Sequence, residues 1–382
     1  MYDLFNYGRM IADRVRMAAY AKALRCAIRP GATVLDIGTG TGTMALLACK
    51  YGAARVYAIE PSDCVQVARE TARDNGVADR IEFLQDLSTN VVPPARADVV
   101  VSDIRGRLPL FAQHIPTIID ARARWLATGG VIIPREDRIW IAVVEAPEAF
   151  EDTVGPWSNC PYDVDLKAAL PYAPHRWRRG NVKPDKLLSE RACWAILDYG
   201  TIESPDVKRS VTSRALRAGI GHGFVMWFST VLYEGIGFST APDQPETVYG
   251  HAYFPWPKAI PLNRGDTITL DVRADLINED YLWGWNTTVA SAGGRDCPKA
   301  QFRQSTFFAE PITRDTLRKL CDGFVPRLNE PGRIDHLALV LMTEGRTNLE
   351  IAQRLYRDFP HRFERLPRAL DHVGQLAGRY SL

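Results

Sequence analysis

The stretch TVLDIGTGTGTMALLACKYGAARVYAIE, Thr33 to Glu60, decides the fold. Val34, Leu35 and Ile37 form a short apolar run of strand type, and the turn Gly38, Gly40, Gly42 follows it directly. Met44 to Tyr51 reads as a compact apolar helix and Val56 to Ile59 as the next strand, so the segment is strand, turn, helix and strand, ending on an acid. Glycines in such a turn let a ligand approach the backbone and supply angles that a side chain forbids. The spacing is G-x-G-x-G, not the G-x-G-x-x-G of dinucleotide enzymes. Asp36 stands just before the turn, and Glu60 ends the second strand, where a carboxylate accepts both hydroxyls of a ribose. A glycine-rich surface turn that binds nothing is the competing interpretation.

The chain has 382 residues, 46% of them hydrophobic, enough for one large core or two to three domains. A formal net charge of +2 gives no electrostatic case for a nucleic-acid partner, which calls for a concentrated basic face. The seven cysteines, Cys26, Cys49, Cys64, Cys160, Cys193, Cys297 and Cys321, are scattered and lack paired C-x-x-C spacing. They read as reduced thiols and not as a metal site or a disulfide frame. No apolar run approaches the roughly 18 residues of a membrane span, and no signal-peptide core is present. A soluble cytoplasmic protein without a membrane partner is therefore expected.

Before the glycine turn, residues 10–28 read as one helix with Met10, Val15, Met17 and Ala18 on an apolar side, and Asp13 and Arg16 three apart. Arg16 either pairs with Asp13 on a solvated face or serves as a planar two-pronged donor to a ligand carboxylate. After it, a helix Cys64 to Asn75 and a strand Arg80 to Leu84 lead to Asp86, Leu87 and Ser88 at the carboxyl edge of the sheet. The strand Ala97 to Val101 runs into SDIRGRLPLFAQH, and residues 117–130 read as a helix closed by Gly129 and Gly130, followed by the strand VIIP.

The glycine turn with its carboxylates resembles the S-adenosylmethionine site of Rossmann-like methyltransferases. The order Met10, Asp13, Arg16, Tyr20, then VLDIGTGTG, GAARVYAIE, SDIRG and a long β-rich second half, resembles the protein arginine methyltransferase family over roughly residues 1 to 300. The resemblance implies that Tyr7, Met10 and Arg16 cover the cofactor and that Arg16 holds its carboxylate. It implies that Asp36, Gly38, Gly40 and Gly42 line its amino acid part and that Glu60 binds its ribose. Asp86, Leu87 and Ser88 become candidates for the adenine contact, with a plain polar loop as the alternative. The family's catalytic loop carries two glutamates, one directly after the serine and one nine residues beyond the first. Here Asp103 holds the first position, and the second falls on Ala112, beside Gln113 and His114. The family's threonine, histidine, tryptophan loop reads Thr247, Val248, Tyr249.

The departures bear on mechanism. Two carboxylates grip a guanidinium bidentately and localise its charge, which one carboxylate does less well. Asp103 is thus the one catalytic carboxylate expected, with Gln113 and His114 as further substrate contacts or His114 as a surface or helix-start residue. The aromatics Tyr249, Tyr253, Trp256, Trp283 and Trp285 either line a substrate cleft or pack as β-domain core.

The expected architecture is α/β. Cofactor-covering helices (1–30) precede a Rossmann-like domain (31–134), a β-barrel (135–302) and a small helical module (303–382). Within the barrel, residues 157–188 resemble the family's dimerisation arm, implying a homodimer; a basic surface loop is the alternative. In the last module GRTNLEIAQRL, with Thr347 as an N-cap, resembles the helical half of small winged-helix, peptide-recognising modules; a packed extension or oligomer contact is the alternative. The function implied is methylation of a guanidino nitrogen in a peptide, protein or arginine-like small molecule. The alternatives are an amine, phenol or natural-product peptide acceptor, or a non-catalytic partner of an active homologue.

Overall fold

The computed structural model describes residues 3–293 and 297–381. Its N-terminal segment is two helices, α1 (Leu4–Ala12) and α2 (Arg14–Ala27), and not one. Asp13 is extended between them: its N–H donates to the Arg9 carbonyl, closing α1, and its side chain accepts from the Arg16 N–H, opening α2. This break resets the helical phase. The buried side of α2 is Arg16, Ala19, Tyr20, Ala23 and Leu24, whereas Ala18, expected on the apolar side, is exposed.

Five parallel strands follow: β1 (Thr33–Ile37), β2 (Arg55–Ile59), β3 (Ile81–Leu84), β4 (Ala97–Ser102) and β5 (Leu126–Ile133), in the order β3-β2-β1-β4-β5. Helices α3 (Thr43–Lys50), α4 (Val65–Asp74) and α5 (His114–Arg124) connect them. The chain starts in the middle of the sheet and turns outward in both directions, so the carboxyl end of β1 is the switch point where open α/β sheets bind ligands. Register sharpens this. Ile37 pairs with Ile59 on one side and with Ser102 on the other, which makes Gly38, Glu60 and Asp103 the first residues beyond the edge of three adjacent strands.

The helix expected to end at Gly129 and Gly130 stops at Arg124 instead. Residues from Leu126 onward are taken into the sheet as β5, where Val131, Ile132 and Ile133 pair with Val99, Val100 and Val101. Gly129, at φ 77°, accommodates a bend within that strand.

The strand-rich half, expected to be a barrel, forms two antiparallel sheets. The larger contains β6 (Glu136–Val144), β7 (Arg178–Gly180), β8 (Ala192–Asp198), β10 (Gly219–Tyr233) and β12 (His251–Leu262), ordered β7-β12-β10-β6-β8 with β11 (Ile236–Ser239) on β10. The smaller holds β9 (Val207–Arg214), β13 (Thr267–Ile277), β14 (Asp280–Ala290) and β15 (Ala300–Ser305), ordered β15-β14-β13-β9. Between β6 and β7 lie α6 (Pro147–Ser158) and a stretch of short turns. Inward-facing residues alternate along β6 as Asp137, Ile139, Ile141 and Val143. One apolar cluster runs from Leu35 and Ile37 through Trp125 to Phe224, Phe254 and Trp285, joining the parallel sheet to the barrel. Trp256, Trp283 and Trp285 are buried in that core.

The first compact unit reaches Pro311, and β15 runs across the boundary expected at 302 because it completes the smaller sheet. The second unit, from Ile312, has α7 (Arg314–Lys319), α8 (Glu330–Thr343), α9 (Asn348–Asp358) and α10 (Leu366–Tyr380) around its own core of Ile334, Ala338, Ile351, Leu355, Val373 and Leu376. Among its described residues there is no strand. Among all described residues, no helix is long and apolar enough to cross a membrane, and every cysteine is free.

Thr347 and Glu350 form a reciprocal capping box at the start of α9. Residues 312–382 expressed alone are expected to melt cooperatively by circular dichroism, and Thr347→Ala to lower their stability by about 1 kcal/mol. A variant melting like the parent contradicts this.

Candidate active site

The glycine turn is shaped by what lies against it. Gly38, Gly40 and Gly42 have φ of 71°, 55° and 87°. A Cβ on Gly40 would lie 2.4 Å from the Tyr7 ring, and one on Gly38 2.4 Å from Ile104 of the loop after β4. Tyr7, on α1, therefore closes over the turn, its hydroxyl 3.5 Å from the Cys64 thiol. Asp36 braces the turn from behind: it is buried, accepts from the Thr39 hydroxyl at 2.5 Å, and is hydrogen bonded to the Ala45 amide in the first turn of α3.

Glu60 meets the same turn from β2. Its Oε2 accepts from the Gly40 N–H at 3.0 Å, and its Oε1 from the Ser62 N–H and hydroxyl at 3.0 and 2.6 Å. A carboxylate oxygen has two lone pairs, so Oε2, with one protein donor, keeps one for a ligand hydroxyl. Asp86, by contrast, is turned onto its own loop, accepting from the Leu87 N–H and the Asn90 side chain. Leu87 is exposed, Ser88 is buried, and the Ser88 carbonyl accepts from Arg124.

Arg16 does not pair with Asp13. Asp13 is spent on capping α2 and on accepting the Val248 N–H at 2.8 Å, which ties the helix start to the barrel loop. The Arg16 guanidinium turns inward: Nε and Nη2 both reach Asp103 Oδ2 at 2.6 Å, and Nη1 donates to the Met10 carbonyl at 3.2 Å. Asp103 also accepts from the Tyr249 hydroxyl at 2.9 and 2.7 Å, and its Oδ1 from Arg105 Nε at 3.1 Å. Burial pushes the Asp103 carboxyl up, but Arg16 and Arg105 outweigh it and hold it below the usual carboxylate range.

Behind Asp103 the network continues. Arg105 Nη1 donates to both oxygens of Asp137 at 2.7 and 3.0 Å and to Thr230 at 3.0 Å, and Nη2 to the Tyr20 hydroxyl at 2.8 Å. The Tyr199 hydroxyl donates to Asp137 at 2.5 Å, so the His114 Nε2–H at 3.1 Å donates to Tyr199. His114 is a helix-start residue but a buried one; burial, then Arg105, pushes its pKa down to about 3, and it is neutral. Gln113 donates to the Asn278 carbonyl. Neither contacts Asp103. Ala112, at the position of the family's second glutamate, has φ 41° in the turn before α5.

Arg105, Asp137 and Tyr199 escaped the sequence reading. One signal was present: Asp137 occupies the inward-facing register of β6, where alternation calls for an apolar side chain, and a buried acid requires a cation.

Asp36 yields a pH-dependent stability. Burial raises its pKa from 3.8 to about 7, so the folded state favours the protonated form. Its contribution is present in full below about pH 4 and is lost as the pH rises towards 7. In thermal melts, wild type should therefore lose melting temperature relative to Asp36→Asn between pH 4 and 7 and level off above. A difference independent of pH contradicts this.

Two family models match in series: Ribosomal protein L11 methyltransferase (PrmA) over residues 19–150, and the Arginine methyltransferase oligomerization subdomain over residues 136–281. Protein arginine N-methyltransferase 2 of Homo sapiens is 30% identical over 298 residues, covering 74% of this chain and 68% of that protein. Protein arginine N-methyltransferase 6 of Xenopus laevis is 29% identical over 286 residues, covering 71% and 83%. Among solved structures, Arabidopsis thaliana protein arginine methyltransferase 10 superposes with a TM-score of 0.71 at 24% identity, over 81% of this chain and 98% of that one. The PRMT6-SAH structure gives 0.60 at 19%, over 75% and 100%. With the register that brings Gly38, Glu60 and Asp103 to one sheet edge, these matches establish that the chain belongs to the protein arginine methyltransferase family and is an S-adenosylmethionine-dependent methyltransferase.

Proposed function

We propose that the acceptor is a guanidino nitrogen of arginine in a protein or peptide and that Asp103 is the catalytic carboxylate that orients it. The observation that carries this is that Asp103 already accepts from a planar guanidinium, that of Arg16, one residue past the end of β4 and next to the glycine turn. A group that seats one guanidinium with two donors at 2.6 Å has the shape and charge to seat another.

The residues around the turn fit the cofactor. Glu60 Oε2 retains a lone pair for the ribose, the glycines contribute no side chains of their own to the turn, and Tyr7, packed on Gly40, would cover the amino acid part together with Met10. Asp36 supports the turn, and the backbone around Asp86, Leu87 and Ser88 flanks the adenine. Arg16, a planar two-pronged donor, would hold the methionine carboxylate when the cofactor is bound. S-adenosylmethionine supplies a methyl group on a sulfonium sulfur, open to in-line attack. Asp103, ionised and then open at Oδ2, would hold and orient the acceptor nitrogen. Charges pair throughout: Arg16 with the cofactor's carboxylate, Asp103 with the acceptor, Arg105 with Asp137.

A second interpretation, transfer to an amine or phenol, draws on the filled state of Asp103, whose oxygens are occupied by donors of this chain. We also propose a cytoplasmic homodimer joined through residues 157–188. Trp157, Tyr162, Val164 and Tyr172 are exposed in that arm, and the oligomerization-subdomain match spans it.

Methyl-labelled cofactor with a panel of arginine, lysine and tyrosine peptides tests the acceptor. Label is expected on arginine, and Asp103→Asn is expected to lower kcat/KM by about a hundredfold or more while affinity for the demethylated cofactor is kept. Label on tyrosine or lysine with none on arginine rejects the guanidino assignment.

A further inference from the structure

The loop after β4 carries a guanidinium of its own. Arg105 is buried, and each of its donors is engaged by a different part of the fold: Nε by Asp103, Nη1 by Asp137 on β6 and Thr230 on β10, Nη2 by Tyr20 on α2. An ionised carboxylate offers about four lone-pair sites. On Asp103, Oδ1 takes Arg105 and Oδ2 takes Arg16, and the one hydroxyl proton of Tyr249 is shared between the two oxygens. Arg16 has an alternative anion in the cofactor; Arg105 has none, because Asp137 holds it from behind with both oxygens.

We infer that Arg105 is a specificity-determining residue: a resident cation that keeps Oδ1 of Asp103 engaged and directs an incoming guanidinium to Oδ2. This rests on the guanidino reading and deepens it. A guanidinium binds a carboxylate best as a fork across both oxygens. With Oδ1 engaged by Arg105 the fork is weakened, and the fixed charge of Arg105 opposes a second cation across the same carboxylate. With Ala112 in place of a second acid, the acceptor's guanidinium is weakly held at its tip, so substrates are selected by the peptide around the arginine. The acceptor class is a peptide or protein, and free arginine-like metabolites are poor substrates.

The charged and titratable groups facing Asp103 are Arg16 and Tyr20 from α2, Arg105 from its own loop and Tyr249 from the barrel. Asp137, Tyr199 and neutral His114 stand behind Arg105. Removing Arg105 removes one of the two cations that keep the Asp103 carboxyl acidic.

The test replaces the pair together, Arg105→Met with Asp137→Ala, so that neither member is left without the other. Binding of N-acetyl-arginine amide is titrated by calorimetry in the presence of the demethylated cofactor, across pH, with melting temperature and cofactor affinity as controls. The double variant is expected to bind the probe about tenfold more tightly, with the acid limb of binding displaced to higher pH. Arg105→Lys keeps a counter-charge for Asp137 but lacks the Nε donor, so it should show a smaller gain in the same direction, and it decides the matter where the double variant does not fold. Folded variants that bind the probe no more tightly than wild type, with an unmoved acid limb, overturn the inference. Failure of the guanidino reading is separate: it is seen in wild type, as methyl transfer to phenols or amines and none to arginine, whatever the variants bind.

Discussion

Two buried cations sharing one aspartate hold this site together. Arg16 and Arg105 converge on Asp103, and Asp137 balances the second arginine. Ions removed from water this completely are stable only with near-complete hydrogen bonding, and removing one partner from such a pair costs about 3–5 kcal/mol. The pieces joined are remote in sequence: α2, the loop after β4, the inner face of β6 and the loop before β12. The salt bridges thus dictate how helix, parallel sheet and barrel meet, beyond what the shared apolar core specifies.

The arrangement follows from strand order. A parallel sheet that begins at its centre brings the ends of β1, β2 and β4 together, and equal register leaves Gly38, Glu60 and Asp103 at one level. The two carboxylates there have separate environments. Glu60 is engaged by amides and a hydroxyl, groups that leave room for neutral hydroxyls. Asp103 is engaged by guanidinium groups, which suit it to cations. In the proposed function, nucleoside and acceptor recognition fall to the ends of β2 and β4, on either side of β1, according to the kind of donor each acid meets.

The glycine turn and its flanking elements were legible in the sequence because they depend on local properties: an apolar run, residues free to take positive φ, and a helix directly after. The break at Asp13 was harder to see, since the residues on either side are good helix formers and the break is stabilised by Val248, far along the chain. The same holds for β5, where Leu126 to Ile133 follows a helical pattern without a stop and pairing with β4 decides the outcome. Arg105 lay inside a loop already singled out, yet its partners come from β6, β10 and α2, and a pairing across such distances leaves only the trace of one acid in an apolar strand register.

Central to this account is an arginine with two stations. Arg16 rests on Asp103 in the structure described here and is assigned to the methionine carboxylate when the cofactor is bound. A crystal structure with the demethylated cofactor tests this most directly. The account predicts Arg16 within hydrogen-bonding distance of the ligand's carboxylate, Asp103 Oδ2 open towards the space beside the sulfur, and Arg105 still on Asp137. Arg16 still seated on Asp103, with the ligand's carboxylate held by other groups, would contradict it.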